Sequence, residues 1–251
     1  MDRTITTNAI VLRRGRYGEF HKDLSLLTED HGLISATAYG AYKMVSHLRL
    51  GSEPFTWARL QLYHNPVKNT WKVTELEARE SFDGLRSDLG RIEAASLWAE
   101  VVLKSIAAGE TTAALYHLLL ACLRALEAGP CEQTPYATAQ FLWRFLDLAG
   151  YRPDVTACER CGRSFGNAEG ATWVAASGAL ACEPCAGSTG PRLGAGARRY
   201  LEATQGLGLP QALAIRMDGS SLAGLEGALQ HAIRGVLETD LRSLRARGGG
   251  R

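Results

Sequence analysis

Six cysteines occur in this sequence, and four of them carry the spacing of a metal site: Cys158-Glu-Arg-Cys161, twenty intervening residues, then Cys182-Glu-Pro-Cys185. Each short Cys-x-x-Cys turn can present two sulfurs to one metal, and two such turns fill a tetrahedron. The spacing therefore predicts one structural Zn(2+) held by Cys158, Cys161, Cys182 and Cys185. A closed four-thiolate sphere has no open position for water or substrate, so such a metal holds a fold and does no chemistry. Two local disulfides are disfavoured in a reducing compartment, and a thioredoxin-like redox pair needs no second copy. Zinc deaminase chemistry is excluded as well: it wants His-x-Glu upstream of Pro-Cys-x-x-Cys, whereas Pro184 lies inside the second pair. Arg160 and Arg163 flank the first pair and can offset thiolate charge.

Other catalytic patterns are missing. The sequence has no phosphate-binding Gly-x-x-x-x-Gly-Lys-Ser/Thr, no complete dinucleotide glycine fingerprint, no Gly-x-Ser-x-Gly elbow and no histidine spacing for a metal. A non-enzymatic protein is expected. What remains are basic residues interleaved with aromatics: Arg13, Arg14, Arg16, Tyr17, Phe20 and Lys22; Tyr39, Tyr42, Lys43, His47 and Arg49; Trp57, Tyr63, Lys68, Trp71 and Lys72. Cations that follow phosphates, and rings that accept bases, are the equipment for binding single strands. Against this, a good part of the aromatics, Phe55 and Trp57 especially, is expected in a barrel core.

These side chains need elements to position them. Five apolar or alternating runs, Ala9–Arg14, Asp23–Thr28, Leu33–Tyr39, Glu53–Tyr63 and Trp71–Ala78, read as short strands and fit a small closed barrel of OB-fold or SH3-like type. From Ser87 the period becomes helical. One helix capped by Ser87 or Asp88 runs to about Ala108 and ends at Gly109; another starts at Thr111 or Thr112; a third starts at Thr134-Pro135. Between the cysteine pairs, Thr172–Ala176 and Leu180–Cys182 read as a hairpin. Ala186–Gly196 reads as an irregular linker, Ala197–Thr204 as a short helix, and Ser221–Ala246 as a long amphipathic helix ending on Arg242, Arg245 and Arg247. The expected class is thus α+β and multi-domain: residues 1–80 form a five-stranded barrel that binds nucleic acid, an OB-fold or, on the same pattern, an SH3-like one. Residues 81–251 form an all-α helical domain carrying a four-cysteine zinc ribbon at 158–185.

Composition narrows the class further. The chain has 251 residues, 46% of them hydrophobic and 22% charged, the balance of a soluble globular protein. Its net charge of +2 is unevenly spread: residues 1–72 hold ten Lys/Arg against six Asp/Glu, residues 81–157 six against nine, and residues 158–251 eleven against eight. A basic front end is compatible with a polyanion. With no signal-like start and no long apolar run, neither export nor a membrane span is expected, and reduced cysteines suit the cytoplasm.

Several stretches resemble the N-terminal domain of the RecO family: Asn8-Ala-Ile-Val-Leu-Arg-Arg14 with Tyr17-Gly-Glu19, Leu24-Ser-Leu-Leu-Thr28, His31-Gly32-Leu33 and Gly40-Ala41. So do Ser46-His-Leu-Arg49, Glu53-Pro-Phe55 and Leu60-Gln-Leu-Tyr63, and Leu241-Arg-Ser-Leu244 is similar to the family's last helix. The resemblance implies a recombination mediator in DNA repair. Such a protein binds single- and double-stranded DNA, anneals complementary strands and, with RecR, promotes RecA loading onto strands coated by single-stranded-DNA-binding protein (SSB). After Gly40-Ala41 the family tends to carry several basic residues, where this chain has Tyr42, Lys43, Met44 and Val45. Candidate phosphate ligands are Arg13, Arg14, Arg16, Lys22, Lys43, Arg49, Lys68 and Lys72, with Tyr42 for stacking. Arg124, Arg144, Arg198 and Arg199 are candidates to meet the acidic C-terminal tail of SSB, and a nucleoid-associated location follows from the DNA partner. A zinc-stabilised interaction adaptor, or a zinc-ribbon transcription or translation factor, is the alternative.

Overall fold

The structure, a computed structural model, describes residues 3–44, 46, 48–106, 112–174, 177–187, 190–239 and 241–243. His47, the Gly109 stop, the Thr111 cap, Ala176 and the basic residues Arg245 and Arg247 lie outside the described residues. Two compact units divide the chain, residues 1–127 and residues 128–251.

The first unit begins with five strands: β1 (Thr4–Tyr17), β2 (His21–Thr28), β3 (Gly32–Ala38), β4 (Trp57–Asn65) and β5 (Thr70–Glu80). They close into a barrel in the order β1-β2-β3-β5-β4. All pairings are antiparallel except β3 with β5, where Ala36 faces Trp71 and Thr37 faces Lys72. Placing β5 between β3 and β4 is the Greek-key closure of an OB-fold, which decides between the two barrels left open by the sequence pattern. Inward-facing side chains fill the interior, among them Val11, Leu24, Leu26, Ile34, Leu60, Leu62 and Val73. A short helix, α1 (Leu48–Gly51), spans part of the β3–β4 connection.

Strand β1 carries a register shift between Val11 and Arg13. A bulge breaks the inward-outward alternation, so Arg13 and Arg14, neighbours in sequence, are both exposed. Trp57 corrects an expectation. In β4 it is Ala58, Leu60 and Leu62 that turn inward, while Trp57 lies on the other face, half-buried. Its indole N–H donates to the Tyr116 hydroxyl at 2.7 Å, and the Arg124 guanidinium lies 4.8 Å from the ring centre. Phe55 is buried as expected, in a left-handed turn at φ 69°.

Helices α2 (Leu89–Ile106) and α3 (Thr112–Ala128) complete this unit. Asp88 accepts the backbone N–H of Arg91 at 2.9 Å and so provides the expected cap of α2.

The second unit is built on α4 (Thr134–Leu148) and on the ribbon strands β6 (Ala171–Trp173) and β7 (Leu180–Ala181), followed by the single turn α5 (Glu183–Ala186). Then come β8 (Arg192–Leu193), α6 (Ala195–Thr204), α7 (Leu209–Ala214) and α8 (Gly219–Leu237). The apolar stripe Leu225, Ala228, Leu229, Ala232 and Ile233 of α8 is buried, as are Phe141, Leu142, Phe145 and Leu146 of α4. Three expectations are corrected here. Within the stretch read as a linker, Arg192 and Leu193 form β8 against Thr172 and Ala171, because pairing with a preformed strand overrides the low strand propensity around it. The last long helix is broken at Leu237, where Glu238 turns left-handed at φ 49°, and its expected end at Ala246 lies outside the described residues. Thr134 gives α4 no side-chain cap. Helix α7, too short for a periodic signal, was not expected.

Candidate nucleic-acid interface and metal centre

The cysteine cluster is assembled by two turns. After Cys158 the chain reverses through Gly162 at φ 71°, with the Gly162 N–H donating to the Cys158 carbonyl at 2.8 Å. Cys182 precedes α5, and the Cys185 N–H donates to the Cys182 carbonyl at 2.9 Å. The expected hairpin aligns the two turns, with Thr172 opposite Ala181 and Trp173 opposite Leu180. A further bond from the Glu159 N–H to the Leu180 carbonyl, 3.0 Å, joins first turn to returning strand.

All four sulfurs consequently lie within 4.8 Å of one another, and Cys161 Sγ is 3.8 Å from Cys182 Sγ. A tetrahedral zinc with Zn–S of about 2.3 Å separates its sulfurs by about 3.8 Å, so the donor set fits a metal of that size. Electrostatics agree. Burial pushes the Cys158 thiol up, but backbone N–H groups of Cys182, Cys161 and Arg160 outweigh it and hold it at about 6. The Arg163 guanidinium, hydrogen-bonded to Cys182, lowers that thiol against the effect of its burial. Cys185 is pushed up to about 12 by the neighbouring Cys182 and Cys161 sulfurs. Negative charge crowds one point, and a bound cation relieves it. Of the flanking arginines, Arg163 meets a thiolate as the sequence suggested and also pairs with Glu169 at 3.0 Å, whereas the Arg160 guanidinium donates to the Cys185 carbonyl at 2.7 Å. These four cysteines could hold a metal ion.

On the barrel, the expected phosphate ligands divide by what their charges already do. Arg13, Arg16, Lys43, Arg49, Lys68 and Lys72 are exposed. Arg16 donates to the carbonyls of Gly18 and Glu19, 3.3 Å each, which keeps its guanidinium at the β1–β2 turn. Arg14 is ion-paired with Glu53 at 2.9 Å and donates to the Tyr42 hydroxyl at 2.9 Å.

Lys22 is a correction. Its side chain is 1% exposed, and its ammonium is bound by the Glu53 carboxylate at 2.8 Å, the Ser52 hydroxyl at 2.7 Å and the Arg49 carbonyl at 2.9 Å. An ammonium with three protein acceptors and no route to solvent ties the α1 segment to the barrel and meets no phosphate. Tyr42 is half-buried, with the Lys22 ammonium 5.2 Å from its ring centre and the Arg14 guanidinium donating to its hydroxyl.

Tyr17, Phe20 and Tyr39 are instead the exposed barrel aromatics near these cations. They stood in the interleaved clusters of the sequence, but nothing in composition says which ring of a cluster points outward.

Of the four arginines proposed for an acidic peptide, Arg198, Arg144 and Arg124 are already engaged. Arg198 is 1% exposed and donates to the carbonyls of Val155, Gly166 and Glu169, besides pairing with Glu202 at 3.0 Å. It is a buried strut. Arg144 donates to the Leu207 carbonyl at 2.7 Å, and in the first unit Arg124 pairs with Glu80. Arg199 is exposed. A cavity of about 390 Å³ opens elsewhere in the second unit, lined by Leu146, Tyr151, Trp173 and Val236 with His231 and Arg234 at its wall. No sequence pattern marked it, since its walls come from three separated segments. Among the described residues, no helix is long and apolar enough to cross a membrane.

Two family models match the chain: "Recombination protein O N terminal" over residues 1–82 and "Recombination protein O C terminal" over residues 86–245. Similar proteins include the DNA repair protein RecO of Heliobacterium modesticaldum, 37% identical over 70% of this chain and 62% of that protein. Another is that of Rubrobacter xylanophilus, 33% identical over 74% of this chain and 73% of the relative. The RecO of a Roseiflexus species is 32% identical over 97% of this chain and 84% of its own length.

Proposed function

This chain belongs to the RecO family of DNA repair proteins, and from that membership we propose that it is a non-enzymatic recombination mediator. It binds single- and double-stranded DNA, anneals complementary strands and, together with RecR, promotes RecA loading onto strands coated by SSB. Residues 1–80 act as the nucleic-acid-binding domain and residues 81–251 as a helical domain stiffened by one structural Zn(2+) on Cys158, Cys161, Cys182 and Cys185. It works in the cytoplasm, at the nucleoid.

The observation that carries the proposal is the set of exposed cations on an OB-fold barrel: Arg13, Arg16, Lys43, Arg49, Lys68 and Lys72, with Arg14 held at their margin by Glu53. Arginines and lysines without base-reading partners neutralise phosphates of any sequence. Neutralising two strands on one surface lowers their repulsion and lets them search for register.

A second reading, of the helical domain as a docking platform, is supported by the cavity between Leu146, Trp173 and Arg234. An apolar pocket with a cation at its wall suits the SSB tail, whose acidic residues end on hydrophobic ones. An annealing assay with two complementary oligonucleotides tests the main proposal. The protein accelerates duplex formation at low salt, and an unaltered rate, with no retention of either strand, rejects it.

A further inference from the structure

We infer that Tyr17, His21 and Tyr39, with Phe20 beside them, form a stacking strip that takes unpaired bases, so that the barrel grips single strands by their bases as well as by their phosphates. The inference rests on the DNA-binding reading above and adds to it the form of DNA that this surface prefers.

Three rings run in sequence across the barrel. Tyr17 ends β1 and pairs with His21 at the start of β2; their ring centres are 6.2 Å apart. From His21 the strip continues to Tyr39, just past the end of β3, at 4.9 Å in an edge-on arrangement. The backbone fixes the middle ring: the Gly40 N–H donates to His21 Nδ1 at 2.9 Å, which leaves the imidazole proton on Nε2. Gly40 itself sits at φ 70°, a turn that glycine adopts without strain and that sets Tyr39 against His21.

These rings are held in place yet open to solvent. Tyr17 is 54% exposed, Tyr39 48% and Phe20 43%. Cations accompany them, with Lys72 Nζ 5.6 Å from the Tyr39 ring centre and Lys43 Nζ 5.9 Å from that of Phe20. Among the described residues, neither lysine is ion-paired with a carboxylate, so both charges remain for a polyanion. Open aromatic faces beside such lysines match a strand whose bases are unstacked and whose phosphates lie one bond network away. In a duplex the base faces are already stacked on each other, and the strip finds nothing to receive.

The test uses the full-length chain and fluorescence anisotropy with three probes of equal length: a mixed-sequence single strand, an abasic strand with the same phosphates, and a duplex. Wild type binds the mixed-sequence strand more tightly than the abasic one. Tyr39→Leu and, independently, Tyr17→Leu each weaken the mixed-sequence strand roughly 5- to 150-fold, the factor one stacked base contributes, and leave the abasic strand unchanged. Tyr39→Phe keeps the ring and retains wild-type affinity. Equal affinity of wild type for the abasic and base-bearing strands overturns the stacking inference while DNA binding stands; so does an equal loss on both probes in the leucine variants. Failure of wild type to bind any probe at low salt removes the DNA-binding reading itself.

Discussion

Lys22 and Arg16 face each other across the β1–β2 ladder, and their cations do opposite work. The Arg16 guanidinium is anchored only to turn carbonyls and stays in water; the Lys22 ammonium is enclosed by Glu53, Ser52 and the Arg49 carbonyl. Replacing Arg16 with Glu should therefore lower DNA affinity for all sequences alike and reduce the slope of log affinity against log salt by about 1, the share of one phosphate contact. Measured by anisotropy across a salt series, an unchanged slope removes Arg16 from the interface. Lys22→Met should leave that slope as it is and cost about 1–3 kcal/mol of stability, because Ser52, Glu53 and the Arg49 carbonyl lose a buried partner. Urea unfolding checks the second number. Both residues were legible as cations in the sequence, whereas which of them is buried depended on a segment some thirty residues downstream that supplies the acceptors.

Elements show what holds the site in shape. Among the described residues the ribbon's strands are short, Ala171–Trp173, Leu180–Ala181 and Arg192–Leu193, so a metal tying the four sulfurs together would add much of its order. Chelation, or Cys182→Ser, should release one metal ion per chain and lower the thermal midpoint of the helical domain. DNA affinity of the barrel should hardly move; retained ribbon order after complete chelation would count against a structural metal.

Helix α8 offers a pH test. The Asp218 carboxylate accepts from the Ser220 and Ser221 hydroxyls and from the Ser221 N–H at 2.9 Å, and these bonds hold its pKa well below the usual carboxylate range. A depressed folded pKa contributes stability above the unfolded value, about 3.9, and loses it as pH falls toward the folded one. The gap in melting temperature between wild type and Asp218→Ala should thus be full at neutral pH and narrow below about pH 4. A gap that is constant down to pH 2 excludes the charged cap.

For the whole molecule, the two proposed activities fall on different units, DNA on the barrel and the SSB tail on the second unit. If the cavity beside Arg234 receives the acidic SSB tail, Arg234→Glu should weaken a tail peptide by roughly tenfold, the price of a charge-assisted contact, and leave annealing of naked strands intact. Peptide binding measured by titration calorimetry decides it, with loss of annealing in the same variant arguing against separate surfaces. The sequence by itself determined the local parts: strand alternation, the helical period after Ser87, the cap at Asp88, and the cysteine spacing. Each of these is a relation between residues a few positions apart, set by backbone geometry and readable without the fold. Only the tertiary structure decided that β5 enters between β3 and β4, that Trp57 faces Tyr116, that Arg192 and Leu193 become a strand, and that Tyr17 and Tyr39 stay open while Lys22 and Arg198 are enclosed. Those outcomes depend on which distant segment arrives at a side chain, and neither the type of a residue nor its sequence neighbours carry that information.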